Sequence, residues 1–249
     1  MNLPEGPVRS FQPHRVPAVE FASLMRETAA LLGASFGRLL VLFLLFYLLV
    51  LFLQELPYVA LPLTATLSAI GNAGFICALE TTRQGRAPSI LDMLYPWKLP
   101  TEKLVLLVLG GMLPILVGML VWWLDLGADR FVTLLQTTDP AQIPSVGERI
   151  EFDLVIEVAA TPLFFLAPFC VLYTWSASRT VSATVLAGLA NWPWLVGYCA
   201  VSVGIDLGFI ALDATRDLAL VPVGLAANIA VTMFSDAFTL VLMLRCLHD

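Results

Sequence analysis

Residues 39–53 read LLVLFLLFYLLVLFL, an unbroken apolar run without a charge or an amide. A helix that is hydrophobic on every face belongs either deep inside a large protein or in a bilayer. Taken with its flanks, this stretch reaches the roughly 20 residues that a bilayer crossing needs. It could mimic the apolar core of a secretory signal. However, 38 residues precede it, and Gln54-Glu55-Leu56-Pro57 offers no small-x-small cleavage pattern, so the expectation is a membrane helix.

The rest of the 249 residues supports that choice. The chain is 59% hydrophobic and 13% charged, with a mean hydropathy of +0.88, whereas soluble domains carry about 25% charged residues. So little charge cannot cover a water-facing globule, and lipid is the solvent that fits. The net charge of −6 argues against nucleic acid, which calls for a basic face. Cys77, Cys170, Cys199 and Cys246 lie in or beside apolar runs and none has CxxC spacing. They read as buried thiols, not as a zinc or redox site.

Hydropathy places spans at about 35–56, 58–82, 103–124, 154–175, 192–212 and 218–244, with Pro57 making a tight turn between the first two. The polar stretch 125–153, with Pro140, Pro144 and Gly147, is the longest expected loop, holding one short helix near 130–136. The fold class is therefore all-α, a polytopic membrane bundle of about six transmembrane helices. Its expected domain organisation is an N-terminal tail at 1–17 followed by a single membrane domain at 18–249.

In this arrangement Arg9, Arg15, Arg26, Arg38, Arg83, Arg86, Lys98, Lys103, Arg179 and Arg245 share one side. Arg130, Arg149 and Arg216 take the other. Ten against three predicts cytoplasmic N- and C-termini and an inner (plasma) membrane of bacterial type. The opposite side is acidic, with Glu55, Asp125, Asp129, Asp139, Glu148, Glu151, Asp153, Asp213 and Asp217.

A short amphipathic segment precedes each odd-numbered span. Phe21, Leu24, Met25, Leu31 and Leu32 form a stripe opposite Glu20, Ser23, Arg26 and Glu27. Ile90, Leu91, Leu94 and Trp97 lie opposite Asp92 and Lys98, and Val181, Val185 and Leu189 lie apart from Arg179 and Ser182. Such helices favour the interface plane. The chain then parses as a threefold repeat, each unit an interfacial elbow helix followed by a transmembrane hairpin. Trp122-Trp123, Trp192 and Trp194 read as interface anchors.

That order of elbow and hairpin carries a resemblance, together with Phe165-Leu166-Ala167-Pro168, Trp175 and Ala190-Asn191-Trp192. From about residue 18 onward the chain resembles a poorly characterised family of proteobacterial six-helix membrane proteins. That family is similar in layout to the membrane domain found beside glycerophosphoryl diester phosphodiesterases. The resemblance implies a fold and a location. It brings no catalytic residues, because the phosphodiesterase domain has no counterpart here.

Ionisable groups inside spans are expensive and mark functional candidates. Asp236 lies past the middle of the sixth span, beside Ser235 and about two helical turns from Asn228. Asp206 lies in the fifth span, and Asn72, flanked by Gly71 and Gly74, near the middle of the second. Facing a common cavity, Asp236, Asp206, Asn72 and Asn228 could bind a cation, a proton or an amine-bearing solute. Interhelical hydrogen bonds, worth about 0.6 kcal/mol each, are the structural alternative. Glu80 can pair locally with Arg83, and Glu157 is expected in the first turn of the fourth span. Ala69, Gly71, Ala73, Gly74 and Ala78, with Gly110, Gly111 and Gly118, read as packing seams. Glu148, Glu151 and Asp153 read as a solvated acidic loop.

His14 and His248 lie near the termini, outside the spans, and no HExxH, P-loop or GxSxG motif occurs. The expectation is a non-enzymatic protein without a cofactor or a metal site. Its partners are the bilayer and other membrane-protein subunits, for which it would be an accessory, scaffold or assembly component. The alternative is a small transporter or lipid-handling protein that uses its intramembrane carboxylates.

Overall fold

A hydrocarbon solvent leaves backbone N–H and C=O groups no partner outside the chain, so spanning segments close their hydrogen bonds internally as helices. The computed structural model describes residues 13–54, 60–136, 145–214 and 221–247, with the side chains at 51, 54, 60–62, 134–136, 206, 209–214 and 221 left out. The Pro57 turn, Pro140, Pro144, Arg216, Asp217 and His248 lie outside the described residues.

Among the described residues the regular structure is helical throughout. A 3-10 turn at Ala18–Glu20 leads into α1 (Phe21–Ala34), then α2 (Phe36–Gln54) and α3 (Ala60–Arg83). Next come α4 (Ile90–Met93), a 3-10 turn at Tyr95–Lys98, α5 (Thr101–Leu126) and α6 (Ala128–Gln136). α7 (Val146–Ala160), a 3-10 turn at Thr161–Leu163 and α8 (Leu166–Leu172) follow, then α9 (Ala177–Ala190), α10 (Trp192–Ala214) and α11 (Val221–Leu247).

Four stretches, Leu63–Arg83, Thr101–Leu126, Val146–Leu172 and Pro222–Leu247, are long and apolar enough to cross a membrane. Two bent pairs qualify as well, Ala18–Ala34 with Phe36–Val50 at 82° and Ala177–Ala190 with Trp192–Ile205 at 86°. The expected all-α bundle is therefore the fold, with four to six candidate spans. In each bent pair the short arm is the expected elbow and the long arm the expected span. The order of elbow and two long helices recurs three times along the chain, the middle elbow being the short α4 and its 3-10 turn.

The elbows treat their apolar stripes differently. On α9 the packed face is Thr180, Ala183, Thr184, Ala187 and Gly188, while Val181, Val185 and Leu189 point away from the protein. Ile90, Leu91, Leu94 and Trp97 are likewise exposed, as suits a helix laid on lipid. α1 differs: Leu24, Leu31 and Leu32 are buried, because α1 packs against the last turns of α11.

The fourth helix begins earlier than hydropathy predicts. Ser145 accepts from Glu148 N–H at 3.3 Å, and Glu148 Oε2 accepts from Ser145 N–H at 2.6 Å. This capping box starts α7 ahead of its charged residues, so Glu148, Glu151 and Asp153 belong to a helix instead of a solvated loop. Arg130 also pairs with Glu148 at 3.6 Å. Trp122 is buried, packs its ring against that of Phe152 at a tilt of 30° and donates to Glu148 C=O at 2.9 Å. It is a packing residue, whereas its neighbour Trp123 stays exposed. Lys103, expected at the interface, is buried, and its ammonium donates to the carbonyls of Cys170 and Tyr173. There it neutralises the C-terminal end of α8.

α3 is the central helix, touching α1, α2, α4, α5, α8 and α11, and its small residues make those approaches possible. A Cβ on Gly71 would stand 1.8 Å from the Phe46 ring, one on Gly74 2.2 Å from Met93 O, and one on Gly111 2.5 Å from Ala69 Cβ. α3 ends at Gly85, whose φ of 73° suits glycine. Gly85 N–H bonds to Thr82 C=O and Arg86 N–H to Thr81 C=O, the pattern of a Schellman cap. Gly74→Ala forces a methyl into a backbone carbonyl and is expected to destabilise by about 1–3 kcal/mol. Gly33→Ala, which meets nothing within 4 Å, is expected to be neutral or to stabilise by up to about 1 kcal/mol. Thermal melting in detergent compares the two.

Candidate functional site

α11 carries a polar stripe at helical spacing: Asn228, Thr232, Ser235, Asp236 and Thr239. Positions i, i+4, i+7, i+8 and i+11 share one face, and on α11 that face does not point at lipid. It lines a cavity of about 380 Å³ together with Asn72 of α3, Glu157 of α7, Thr161, and Tyr198 and Ser202 of α10. Three of the four residues singled out in the sequence, Asp236, Asn72 and Asn228, therefore meet in one chamber. Asp206 belongs to α10, but its side chain lies outside the described residues.

One wall of the chamber is the junction of α7 and α8, a 3-10 turn within the candidate span Val146–Leu172. Pro162 follows the end of α7 and has no N–H to donate, so the chain turns through Thr161–Leu163 before α8 begins. Thr161 Oγ1 donates to Glu157 C=O at 2.8 Å, the same carbonyl that accepts the Thr161 N–H. Gly110 and Gly111 on α5 bound the chamber beside this turn.

Most hydroxyls of the stripe are already engaged. Thr232 Oγ1 donates to Asn228 C=O and Thr239 Oγ1 to Ser235 C=O, both at 2.9 Å. Ser235 Oγ and the Tyr198 hydroxyl are 2.6 Å apart. Asp236 is the exception: it is 8% exposed, and its Oδ2 is fully buried without a hydrogen-bond partner. A buried polar oxygen left unmet costs about 1–3 kcal/mol, more when charged; among the described residues the hydroxyls of Thr28, Thr64 and Thr180 are in the same position, away from this cavity. The Tyr198 hydroxyl stands within electrostatic reach of both Asp236 and Glu157.

The other intramembrane candidates separate from this site. Glu80 is buried, and its carboxylate accepts from Arg83 Nε at 2.6 Å and Gln84 Nε2 at 2.6 Å, as its spacing predicts. Asp92 accepts from Thr81 Oγ1 and from Ser89 N–H, at 2.9 Å and 2.7 Å. These groups are spent on the structure. Glu157 was misplaced by the sequence reading because the start of its helix was misplaced. It stands near the end of α7 and faces the chamber. The signal that finds it is the Ser145-x-x-Glu148 capping box, which moves the helix forward by two turns.

A second buried polar hub lies at the α9–α10 corner. Asn191 has no exposed surface. Its Oδ1 accepts from Val16 N–H at 2.8 Å, and its Nδ2 reaches His14 C=O at 3.0 Å and Cys246 Sγ at 3.1 Å. Trp194 Nε1 donates to Val16 C=O at 2.8 Å. Residues 13–17, expected as part of a tail, are thereby docked on the bundle.

Comparison with family models, curated proteins and solved structures gives no match for the chain. What the fold and the chamber define is a class: a multi-pass helical membrane protein with a polar cavity inside the bundle.

The chamber's carboxylates make a prediction about access. In a Cys199→Ala background, Thr232→Cys is expected to react with a small cationic thiol reagent at least about tenfold faster than with an anionic one of similar size, since a like-signed cleft concentrates counterions 10- to 1,000-fold. Equal rates would mean that Asp236 and Glu157 do not set the field there.

Proposed function

We propose that this protein is a small membrane carrier whose chamber takes a cation: a proton, a small metal ion or the ammonium group of an amine-bearing solute. The observation that carries the reading is Asp236 Oδ2, fully buried and without a partner, on a cavity also lined by Asn72, Asn228 and Glu157. Ionisable groups at this depth in known membrane proteins mark ion and proton pathways. The amides of Asn72 and Asn228 supply carbonyl oxygens that can share the coordination of a cation or accept from an ammonium group.

The accessory-subunit reading rests on sparse intramembrane polarity and on the absence of catalytic motifs. Its outward apolar residues serve equally a protein that stands alone in lipid. The gathering of separate polar residues on one cavity favours the carrier. The proposal includes the resemblance to the proteobacterial six-helix family, a bacterial inner membrane and cytoplasmic termini. The ten-to-three distribution of Lys and Arg supports that orientation, as does the packing of residues 20–27 on the last turn of α11, where Arg245 pairs with Glu27 at 2.8 Å and Glu20 at 3.4 Å.

Solid-supported membrane electrometry on proteoliposomes tests the reading, with proton steps, Na⁺ and small primary amines applied in turn. At least one cation is expected to displace charge in the wild type. Asp236→Asn is expected to lose at least about tenfold of that response, equivalent to roughly 1.4 kcal/mol of binding. No displacement with any of them, or equal responses in both proteins, contradicts it.

A further inference from the structure

α10 packs chiefly against α7 and only sparsely against α11, and the two helices leave a groove of about 850 Å³ between them. Its walls are apolar side chains such as Phe21, Met25, Trp194, Val201, Phe234 and Phe238, and Arg15 stands at the end where the docked segment 13–18 crosses it. The volume lies within the roughly 300–1,000 Å³ of small-molecule sites.

The polar groups on these walls are largely consumed. Trp194 Nε1 donates to Val16 C=O and the Tyr198 hydroxyl pairs with Ser235, so along most of its length the groove offers hydrocarbon. Gly197 lies on its floor, and a Cβ added there would meet nothing within 4 Å. The open space is therefore real room beside α10. Arg15 is exposed, and among the described residues its guanidinium has no ion pair or hydrogen bond. A long apolar slot that ends at an unpaired cation is complementary to one kind of bilayer molecule, an amphiphile with an acyl chain and an anionic head.

We propose that the groove between α10 and α11 is a lipid site, holding one acyl chain of an anionic phospholipid with its phosphate on Arg15. Tyr198, Ser202 and Ser235 belong to both the groove and the polar chamber, so the bound chain lies directly against the chamber's outer wall. The site needs only the membrane-embedded fold. Its failure would leave the cation reading of Asp236 standing, and the reverse.

Native mass spectrometry tests it, with the full-length protein released from nanodiscs of equal phosphatidylglycerol and phosphatidylethanolamine. The wild type is expected to retain one phosphatidylglycerol per chain, preferred about fivefold, the ratio that one basic residue beside an anionic headgroup supplies. Gly197→Trp, which fills open space, is expected to reduce the retained lipid by at least about tenfold with an unchanged melting temperature. Val201→Trp, from an exposed groove wall, gives a second filling variant should the first fold poorly. Arg15→Gln is expected to keep a lipid but lose the headgroup preference. Undiminished retention in both filling variants, an unchanged preference in Arg15→Gln, or a second copy of the chain as the retained mass overturns the proposal.

Discussion

In hydrocarbon, a sharp bend between two helices strands carbonyls and amides that no water can satisfy, and at residue 191 this chain meets that demand with one side chain. Asn191 ends α9 with its N–H bonded to Ala187 and Gly188 carbonyls, and its own carbonyl receives the first amides of α10. Its amide group then bonds to residues 14 and 16 and to Cys246. Thus the N-terminal segment, the α9–α10 corner and the end of α11 are held together where no other solvent competes. Lys103, reaching from α5 to the end of α8, holds the neighbouring corner by the same means, a long polar side chain spent on stranded carbonyls.

The same scarcity of partners gives Asp236 its meaning. Elsewhere in the bundle the buried polar groups are largely paired: Glu80 with Arg83 and Gln84, Asp92 with Ser89 and Thr81, Tyr198 with Ser235. Among the described residues the hydroxyls of Thr28, Thr64 and Thr180 are also left unmet, but Asp236 Oδ2 is the one such atom that belongs to a carboxylate on the cavity. The 3-10 turn between α7 and α8 and the close-packed glycines of α5 form part of its wall. The chamber is therefore a product of packing as much as of the polar residues themselves.

Much of the fold was legible because bilayer crossing imposes length and apolarity together. Residues 39–53 alone declared a membrane helix, and the amphipathic runs before residues 35 and 192 declared the elbows. The fourth long helix starts ahead of its apolar run because Glu148, Arg149, Glu151 and Asp153 depress local hydropathy while the Ser145–Glu148 capping box starts the helix among charges. Of the site, the candidates Asp236, Asn228 and Asn72 were legible as polar residues out of place. Their convergence with Glu157 and Ser202 was not, since it depends on how α3, α7, α10 and α11 pack together. The Asn191 knot spans 175 residues, and the groove is a gap between helices, so neither leaves a local trace in the sequence.

The account puts a cation beside Asp236, and an ammonium group can stand in for it. The most direct measurement is anomalous scattering from crystals of the protein grown with a short bromine-bearing primary amine. The account predicts a bromine peak inside the α3–α7–α10–α11 chamber, with the ammonium nitrogen within about 3.2 Å of Asp236 Oδ2, a hydrogen-bond distance. A structure in which a protein donor meets Asp236 Oδ2 and closes it to amine, metal ion and water alike would contradict it.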